Sequence, residues 1–398
     1  MANLAATYYS LGKHTDSEKL EMQVLDASNE ILGMEHPDTI TAMANLAVTY
    51  QNLGKYTKAE KLEMQVLDTR NRILGVEHPD TIRAMANLAG TYSGLEKYTE
   101  AEKLKIQVLE ARCRILGVEH PDSIRAKGDL ASTCNKFGKY TEAKELYIQV
   151  LDARTRILGV EHPDTITAMA NLAVTYQNLE KYTEAEKLEI QVLDTRNRIL
   201  GVEHLDTIRA MANLAGTYSG LEKYAEAEKL EIQVLDARCR ILGVEHPDSI
   251  RAKADLASTY NKLGKYTEAE ELYIQVLYAR TRTFGVDHPD TITVMENLAA
   301  ISQNLEKYKE GQKLQTQTQE AKSRVFGGEH SHEIKTMPYA KDSKDTQVID
   351  ARSTVPEEET SDSVQIVLNP HVEAVLSDTI INPDKKGMYF GHYFLNPL

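Results

Sequence analysis

Residues 36–75 read HPDTITAMANLAVTYQNLGKYTKAEKLEMQVLDTRNRILG, and this stretch decides the fold. Ile40, Met43, Leu46, Ala47, Tyr50 and Leu53 recur at spacings of three and four, the buried stripe of an amphipathic helix. Pro37 suits a first helical turn, where its missing N–H costs nothing, and Asp38 favours the positive helix end. Gly54-Lys55-Tyr56 then breaks the pattern. Thr57-x-x-Glu60 has the spacing of a capping box, repeated by Thr99 and Glu102 and by Thr183 and Glu186, and predicts a second helix start. Ala59, Leu62, Val66, Leu67 and Ile73 supply the second stripe. Gly75 lies just past its end, where only glycine enters the left-handed conformation cheaply. The unit is a helix of about 15 residues, a tight turn and a helix of about 18. No strand-type alternation occurs before the last sixty or so residues.

The same text recurs along the chain. Met1-Ala-Asn-Leu-Ala returns at Met43, Met85, Met169 and Met211, with diverged copies starting at Lys127, Lys253 and Met295. The starts define eight 42-residue units: 1–42, 43–84, 85–126, 127–168, 169–210, 211–252, 253–294 and 295–336. Residues 43–168 differ from 169–294 at 16 of 126 positions, so a block of three units was itself copied. Such units cannot hide their apolar faces alone and become stable by stacking. Their near-identity makes neighbouring interfaces almost interchangeable, and self-association by exchanged repeats is expected.

Composition narrows the function classes. The 398 residues are 41% hydrophobic, enough for a substantial core. Sixty acidic against 46 basic residues give a net charge of −14, which argues against nucleic acid or an anionic membrane as main partner. Three scattered cysteines form no disulfide framework, and a reducing compartment follows. No apolar run approaches the ~18 residues that span a bilayer. Met1-Ala-Asn-Leu has neither the basic nor the apolar region of a signal peptide. A soluble, cytoplasmic protein is expected.

Asn45-Leu46-Ala47-x-x-Tyr50-x-x-x-Gly54-x-Tyr56-x-x-Ala59 resembles the tetratricopeptide repeat. The 42-residue spacing, with Gly-Val-Glu-His-Pro-Asp, is similar to the kinesin light chain variety. The resemblance covers 1–336 and implies an all-α, right-handed superhelical solenoid of antiparallel helix pairs. It also implies that the first helices line a concave groove holding extended peptides or partner helices. Three departures bear on function. Met1 falls inside the first helix of its unit, as if the array were cut from a longer one. No heptad segment of the kind that grips a kinesin heavy chain is present. No Gly-x-x-x-x-Gly-Lys-Ser/Thr accompanies the repeats, although similar arrays form the sensor end of nucleotide-binding signalling proteins. In the eighth unit Ser302 replaces the tyrosine, Gly311 the alanine and Thr318-Gln319 the Val-Leu pair. That unit is either a polar terminal cap or a fraying copy. Residues 337–398 read as an acidic, mostly disordered tail. They include a short strand candidate at Val364–Leu368 and an aromatic end at 387–395, which docks on the array or on a partner, or stays unstructured.

Candidate chemistry is sparse. His36, His78, His120, His162, His204, His246, His288 and His330 recur at the unit period, about 10 Å apart in a stack, too far for shared metal ligation. Cys113 and Cys239 occupy one slot of copied units between arginines, without a histidine base. Cys134 stands where other units have tyrosine and reads as core. The acidic residues of the second helices read mostly as solvated faces, interleaved with Lys at helical spacing, with no pair forced into one pocket. Catalytic residues, metal and cofactor are therefore all expected to be absent. One pattern rises above this. Two residues before each Met slot stand Thr41, Thr167 and Thr293 or Arg83, Arg125, Arg209 and Arg251; two after it stand Asn45, Asn87, Asn171, Asn213 and Asn297, with Asp129 and Asp255 in the third-type units. By the resemblance these line the groove, where asparagine can both donate to and accept from a peptide backbone. The other reading is that the asparagines bond the neighbouring helix. The arginines would form an electropositive stripe suited to carboxylates. The sequence thus predicts a non-catalytic scaffold binding an extended, acidic peptide or a partner helix. A sensor region of a nucleotide-binding signalling protein and a kinesin light chain-like cargo adaptor are the alternatives.

Overall fold

The computed structural model describes residues 1–326; the expected tail and the end of the eighth unit lie outside the described residues. Among the described residues there are sixteen helices and no strand. They form two compact units, residues 1–230 and 231–326, whose boundary falls within one helix. The first unit runs α1 (Ala2–Ser10), α2 (His14–Leu32), α3 (Pro37–Asn52), α4 (Tyr56–Leu74), α5 (Pro79–Gly94) and α6 (Tyr98–Leu116). It continues through α7 (Pro121–Lys136), α8 (Tyr140–Leu158), α9 (Pro163–Asn178), α10 (Tyr182–Leu200), α11 (Leu205–Gly220) and the start of α12 (Tyr224–Leu242). The second unit takes the rest of α12, then α13 (Pro247–Lys262), α14 (Tyr266–Phe284), α15 (Pro289–Asn304) and α16 (Tyr308–Phe326). Complete first helices have 16 residues and second helices 19, so the all-α solenoid of antiparallel pairs is realised in each unit. No helix among the described residues is long and apolar enough to cross a membrane.

Small residues let the two helices of a pair approach. Ala47 on α3 and Ala59 on α4 are fully buried, and Leu46 and Tyr50 close over Ala59. Pairs then stack through shared clusters: Ile40, Met43 and Val66 of one pair pack with Ala84 of the next. Ile82, Val108 and Ala111 meet Ala126, and Ile124, Val150 and Ala153 meet Ala168, in the same way. This repeated burial is what a single unit cannot supply for itself. Gly94 is required by the stacking, because a side chain there would collide with the Tyr56 ring.

The turn inside each pair differs from the expected capping box. Gly54 N–H donates to Gln51 O (3.0 Å) and Lys55 N–H to Tyr50 O (2.8 Å), the two bonds of a Schellman ending. The second helix begins at Tyr56 with Lys55 as N-cap and no side-chain cap, so Thr57 is already helical and its hydroxyl is not used. The glycine-ended ladder leaves no residue free to serve as a hydroxyl cap. Lys55 Nζ instead reaches Glu18 of the preceding second helix at 2.7 Å, and Lys97–Glu60, Lys139–Glu102 and Lys223–Glu186 repeat the pair. Gly75 likewise departs from the left-handed helical conformation: its φ of 87° and ψ of 164° lie in an extended region that is essentially glycine's alone.

Four turns place glutamate where Gly54 stands, with φ of 59–60° at Glu96, Glu180, Glu222 and Glu306. A Cβ in that conformation costs on the order of 1 kcal/mol. Replacing Glu96, Glu180 and Glu222 by glycine is expected to stabilise residues 1–230 by about 0.5–1 kcal/mol per site, less the entropy glycine adds to the unfolded chain. Thermal melting checks this, and an unchanged or lowered midpoint in the triple variant would contradict it.

Candidate functional site

Every complete first helix starts on the same device. His36 Nδ1 accepts the Asp38 backbone N–H at 3.2 Å, and His78, His120, His162, His204, His246 and His288 cap their helices at 3.1–3.2 Å. The recurring histidines are N-caps that satisfy an otherwise orphaned donor; His330 lies outside the described residues. The next residue but one, an aspartate, is gripped from two sides. Arg70 Nη1 donates to Asp80 O (3.1 Å), Arg112 to Asp122 O (3.2 Å) and Arg196 to Asp206 O (3.0 Å). From the surface, Arg83 Nη2 meets Asp80 Oδ1 at 2.5 Å, and Arg125–Asp122 and Arg209–Asp206 pair in the same way. In the second unit Arg251 pairs with Asp248 at 3.1 Å.

The arginine stripe is therefore partly compensated, but each aspartate answers two guanidiniums. Arg70 and Arg196 are buried, and burial lowers their pKa, Arg83 and Arg209 adding to the push against Asp80 and Asp206. Guanidinium stays charged regardless. The heads of α5 and α11 thus carry a local excess of one positive charge, whereas on α7 Asp129 stands one turn beyond Arg125. Where threonine stands instead, the hydroxyl turns back to its own helix: Thr41, Thr167 and Thr293 donate to the carbonyls of Pro37, Pro163 and Pro289 at 2.8–3.0 Å. Arg154 binds Asp164 O without a surface arginine above it, so no such excess arises at α9.

One helical turn further on stand the asparagines. Asn45 and Asn171 are exposed and Asn87 and Asn213 partly so, and no side-chain hydrogen bond ties any of the four to the described residues. Asn297, in the second unit, donates to Tyr273 Oη at 3.3 Å. Neighbour bonding therefore describes Asn297 and not the other four. Within residues 1–230, first helices approach one another across repeats (α3 with α5, α7 with α9, α9 with α11), which puts them on the inner side of the stack. On α5 and α11 the arginine and the asparagine stand four residues apart and so share one side of the helix.

Beneath it runs a buried polar layer that the sequence reading missed. The two N–H donors of Gln51 Nε2 are shared among Glu63 Oε1 (2.8 Å), Asn87 O (3.1 Å) and Thr91 Oγ1 (2.7 Å), joining α3, α4 and α5. Those of Gln177 are shared in the same way among Glu189, Asn213 O and Thr217 at 3.0, 3.1 and 2.6 Å. Between α6 and α7 a different residue takes over: Lys105 Nζ donates to Asp129 O (3.0 Å) and Thr133 Oγ1 (2.5 Å). Glu63 and Glu189 are 2% exposed, and burial pushes their carboxyls up to about 7 and about 8 against the pull of Thr91 and Thr217. The acidic residues of the second helices are thus not uniformly solvated. The available signal was the slot itself, which reads Glu63, Lys105, Tyr147 and Glu189, an odd series for a solvated face.

Neither Cys134 nor Cys239 is activated. Burial pushes Cys134 up to about 11, helped by the charges of Glu102 and Glu142, and burial raises Cys239. Cys134 Sγ and oxygens of Glu102 and Glu142 lie within 4.8 Å of one another. Lys139 Nζ sits 2.7 and 2.8 Å from the two Glu102 oxygens, so that cluster already holds a cation.

Two family models, both described as tetratricopeptide repeat, match the chain. One covers residues 1–38, 39–80 and 81–122, the other 122–196, 169–240 and 248–303. No curated protein matches. Among solved structures, a repeat protein of P. anserina named for the kinesin light chain, with nearly identical TPR-like repeats, is 29% identical. It covers 53% of this chain and 100% of its own, with a TM-score of 0.47. The apo quorum sensor NprR of B. thuringiensis is 15% identical, covering 81% of this chain and 86% of its own at a TM-score of 0.61. A signal-transduction ATPase from Pyrococcus horikoshii with a tetratricopeptide repeat sensor is 16% identical, covering 82% and 47% at 0.55. At these identities the last two share the fold.

Proposed function

Because the chain belongs to the tetratricopeptide repeat family, we propose that it is a non-catalytic protein-interaction scaffold whose first-helix face holds an extended, acidic peptide segment. The observation that carries this reading is the pairing of two features on one open face. Two guanidiniums stand by each aspartate at α5 and α11, and one turn further on Asn87 and Asn213, like Asn45 and Asn171 on α3 and α9, make no side-chain hydrogen bond to the described residues. An extended backbone offers both donors and acceptors to asparagine, and a carboxylate side chain accepts the arginine donors left over from the aspartate. The local positive excess on a body of net charge −14 focuses acidic ligands onto this face and away from the rest of the surface.

The test is a fluorescence-anisotropy titration of 15-residue Asp/Ser and Lys/Ser peptides against the protein and its Arg83/Arg125/Arg209/Arg251→Ser variant. The acidic peptide is expected to bind the parent and to lose at least tenfold in the variant, since charge-assisted hydrogen bonds contribute about 1.5–3 kcal/mol each. The basic peptide is expected not to bind either. Equal affinity of parent and variant for the acidic peptide would remove the arginines from the site.

A further inference from the structure

We propose that the open face of residues 1–230 carries two equivalent subsites, α3/α5 and α9/α11, and so fits one extended acidic segment that presents the same motif twice. The inference rests on the peptide reading above and deepens it.

The two subsites carry the same chemistry at every level. Thr41 and Asn45 stand on α3, Arg83 and Asn87 on α5; Thr167 and Asn171 stand on α9, Arg209 and Asn213 on α11. The support beneath them is duplicated as well. Gln51 holds the Asn87 carbonyl and Gln177 the Asn213 carbonyl, both at 3.1 Å, so the two asparagines are presented on backbone fixed in the same way. Arg70, Arg83 and Asp80 form one charged head, and Arg196, Arg209 and Asp206 form its copy.

The helix between them is different. On α7, Arg125 is followed one turn later by Asp129, which can only accept, and the carbonyl of Asp129 is held by Lys105. A carboxylate approaching Arg125 meets a second carboxylate, which neither Arg83 nor Arg209 imposes on its ligand. The motif is therefore accepted at α5, discouraged at α7 and accepted again at α11. Neighbouring first helices in contact lie ~8–10 Å apart. Three steps make roughly 24–30 Å, which an extended chain crosses in about seven to nine residues at ~3.3–3.6 Å each. A second motif tethered at that span binds as an intramolecular event, and avidity rises by about 10² or more without any new contact.

The probes are synthetic: one Ser-Asp-Glu-Asp-Ser motif, two such motifs starting nine residues apart, and two starting five residues apart. Isothermal titration is run on the full chain and on its Arg83→Ser and Arg209→Ser variants, both at exposed positions outside the core. The single motif is expected to bind with a stoichiometry of two, falling to one in either variant. The nine-residue tandem is expected to bind at least tenfold tighter than the single motif and to lose that advantage in either variant; the five-residue tandem gains nothing. A stoichiometry of one, or sensitivity to one arginine only, would overturn the equivalence while leaving peptide capture intact. A stoichiometry of three, with one site lost in Arg125→Ser, would show that Asp129 does not discriminate and would overturn it too. No binding of any acidic probe would sink the peptide reading itself.

Discussion

Leu172→Asp is expected to break the fold of its neighbourhood, whereas Asn171→Ala beside it is expected to change stability by no more than about 0.5 kcal/mol. Leu172 is 3% exposed on α9 and packs with Leu130, Ala131 and Cys134 of α7 and Ala143 and Tyr147 of α8. Truncating a buried leucine costs about 2–5 kcal/mol, and a carboxylate in the same place adds desolvation that no partner there offsets. Stacked repeats contact mainly their neighbours, so the loss is local. Melting followed by circular dichroism should lose its single cooperative step, the α7–α10 region unfolding first and the flanking helices later. Asn171 is exposed and makes no side-chain bond to the described residues, so its truncation reports on the face and not on the core. If Leu172→Asp melted like the parent, or Asn171→Ala melted as badly as Leu172→Asp, the assignment of inner and outer faces would be reversed.

The faces were legible because helical period and repeat reinforce each other: one amphipathic stripe read eight times leaves little room for another assignment. Ile40, Met43, Leu46 and Val66 are buried where the period put them, Ile73 of the expected second stripe is 51% exposed near the end of α4, and helix lengths came within a residue or so of those expected. The turn was misread because a capping box and a Schellman ending compete for the same few residues. Gly54 decides between them through two backbone bonds that no side-chain spacing reveals. The buried glutamates escaped because an amphipathic pattern classes every carboxylate as polar and sends it outward. What holds Glu63 inside is Gln51, twelve residues back on another helix, and that partnership is visible only as paired change. Where Gln51 gives way to Ser93, Glu63 gives way to Lys105, and the donor moves from the first helix to the second. Units that look interchangeable by identity therefore present different polar partners to their neighbours.

Those glutamates lead to the second large effect, in which Glu63→Gln/Glu189→Gln is expected to stabilise the protein at alkaline pH and leave it unchanged in acid. Burial raises the folded pKa of Glu189 from 4.5 to about 8 and of Glu63 to about 7. Between 4.5 and those values the folded chain holds protons that the unfolded chain has released, so stability falls as pH rises through the window. At ~1.4 kcal/mol per unit, Glu189 alone accounts for about 5 kcal/mol between its two ends. The groups facing it are the Gln177 amide of α9, the Thr217 hydroxyl and Asn213 carbonyl of α11, and the like charge of Glu186 on its own helix. None of these is a cation that would hold the carboxylate ionised. The second carboxyl oxygens of both Glu63 and Glu189 are buried without a hydrogen-bond partner, a position far less costly for a protonated acid or an amide than for an anion. Glutamine keeps the acceptor that Gln51 and Gln177 address and removes the charge at every pH. The parent should lose on the order of 10 °C in melting temperature between pH 5 and pH 8.5 beyond what the double variant loses, taking roughly 2–4 °C per kcal/mol for a unit of this size. Parallel pH profiles for the two proteins would mean that both carboxylates stay ionised in the fold, and that the layer beneath the asparagines is wetter than its geometry implies.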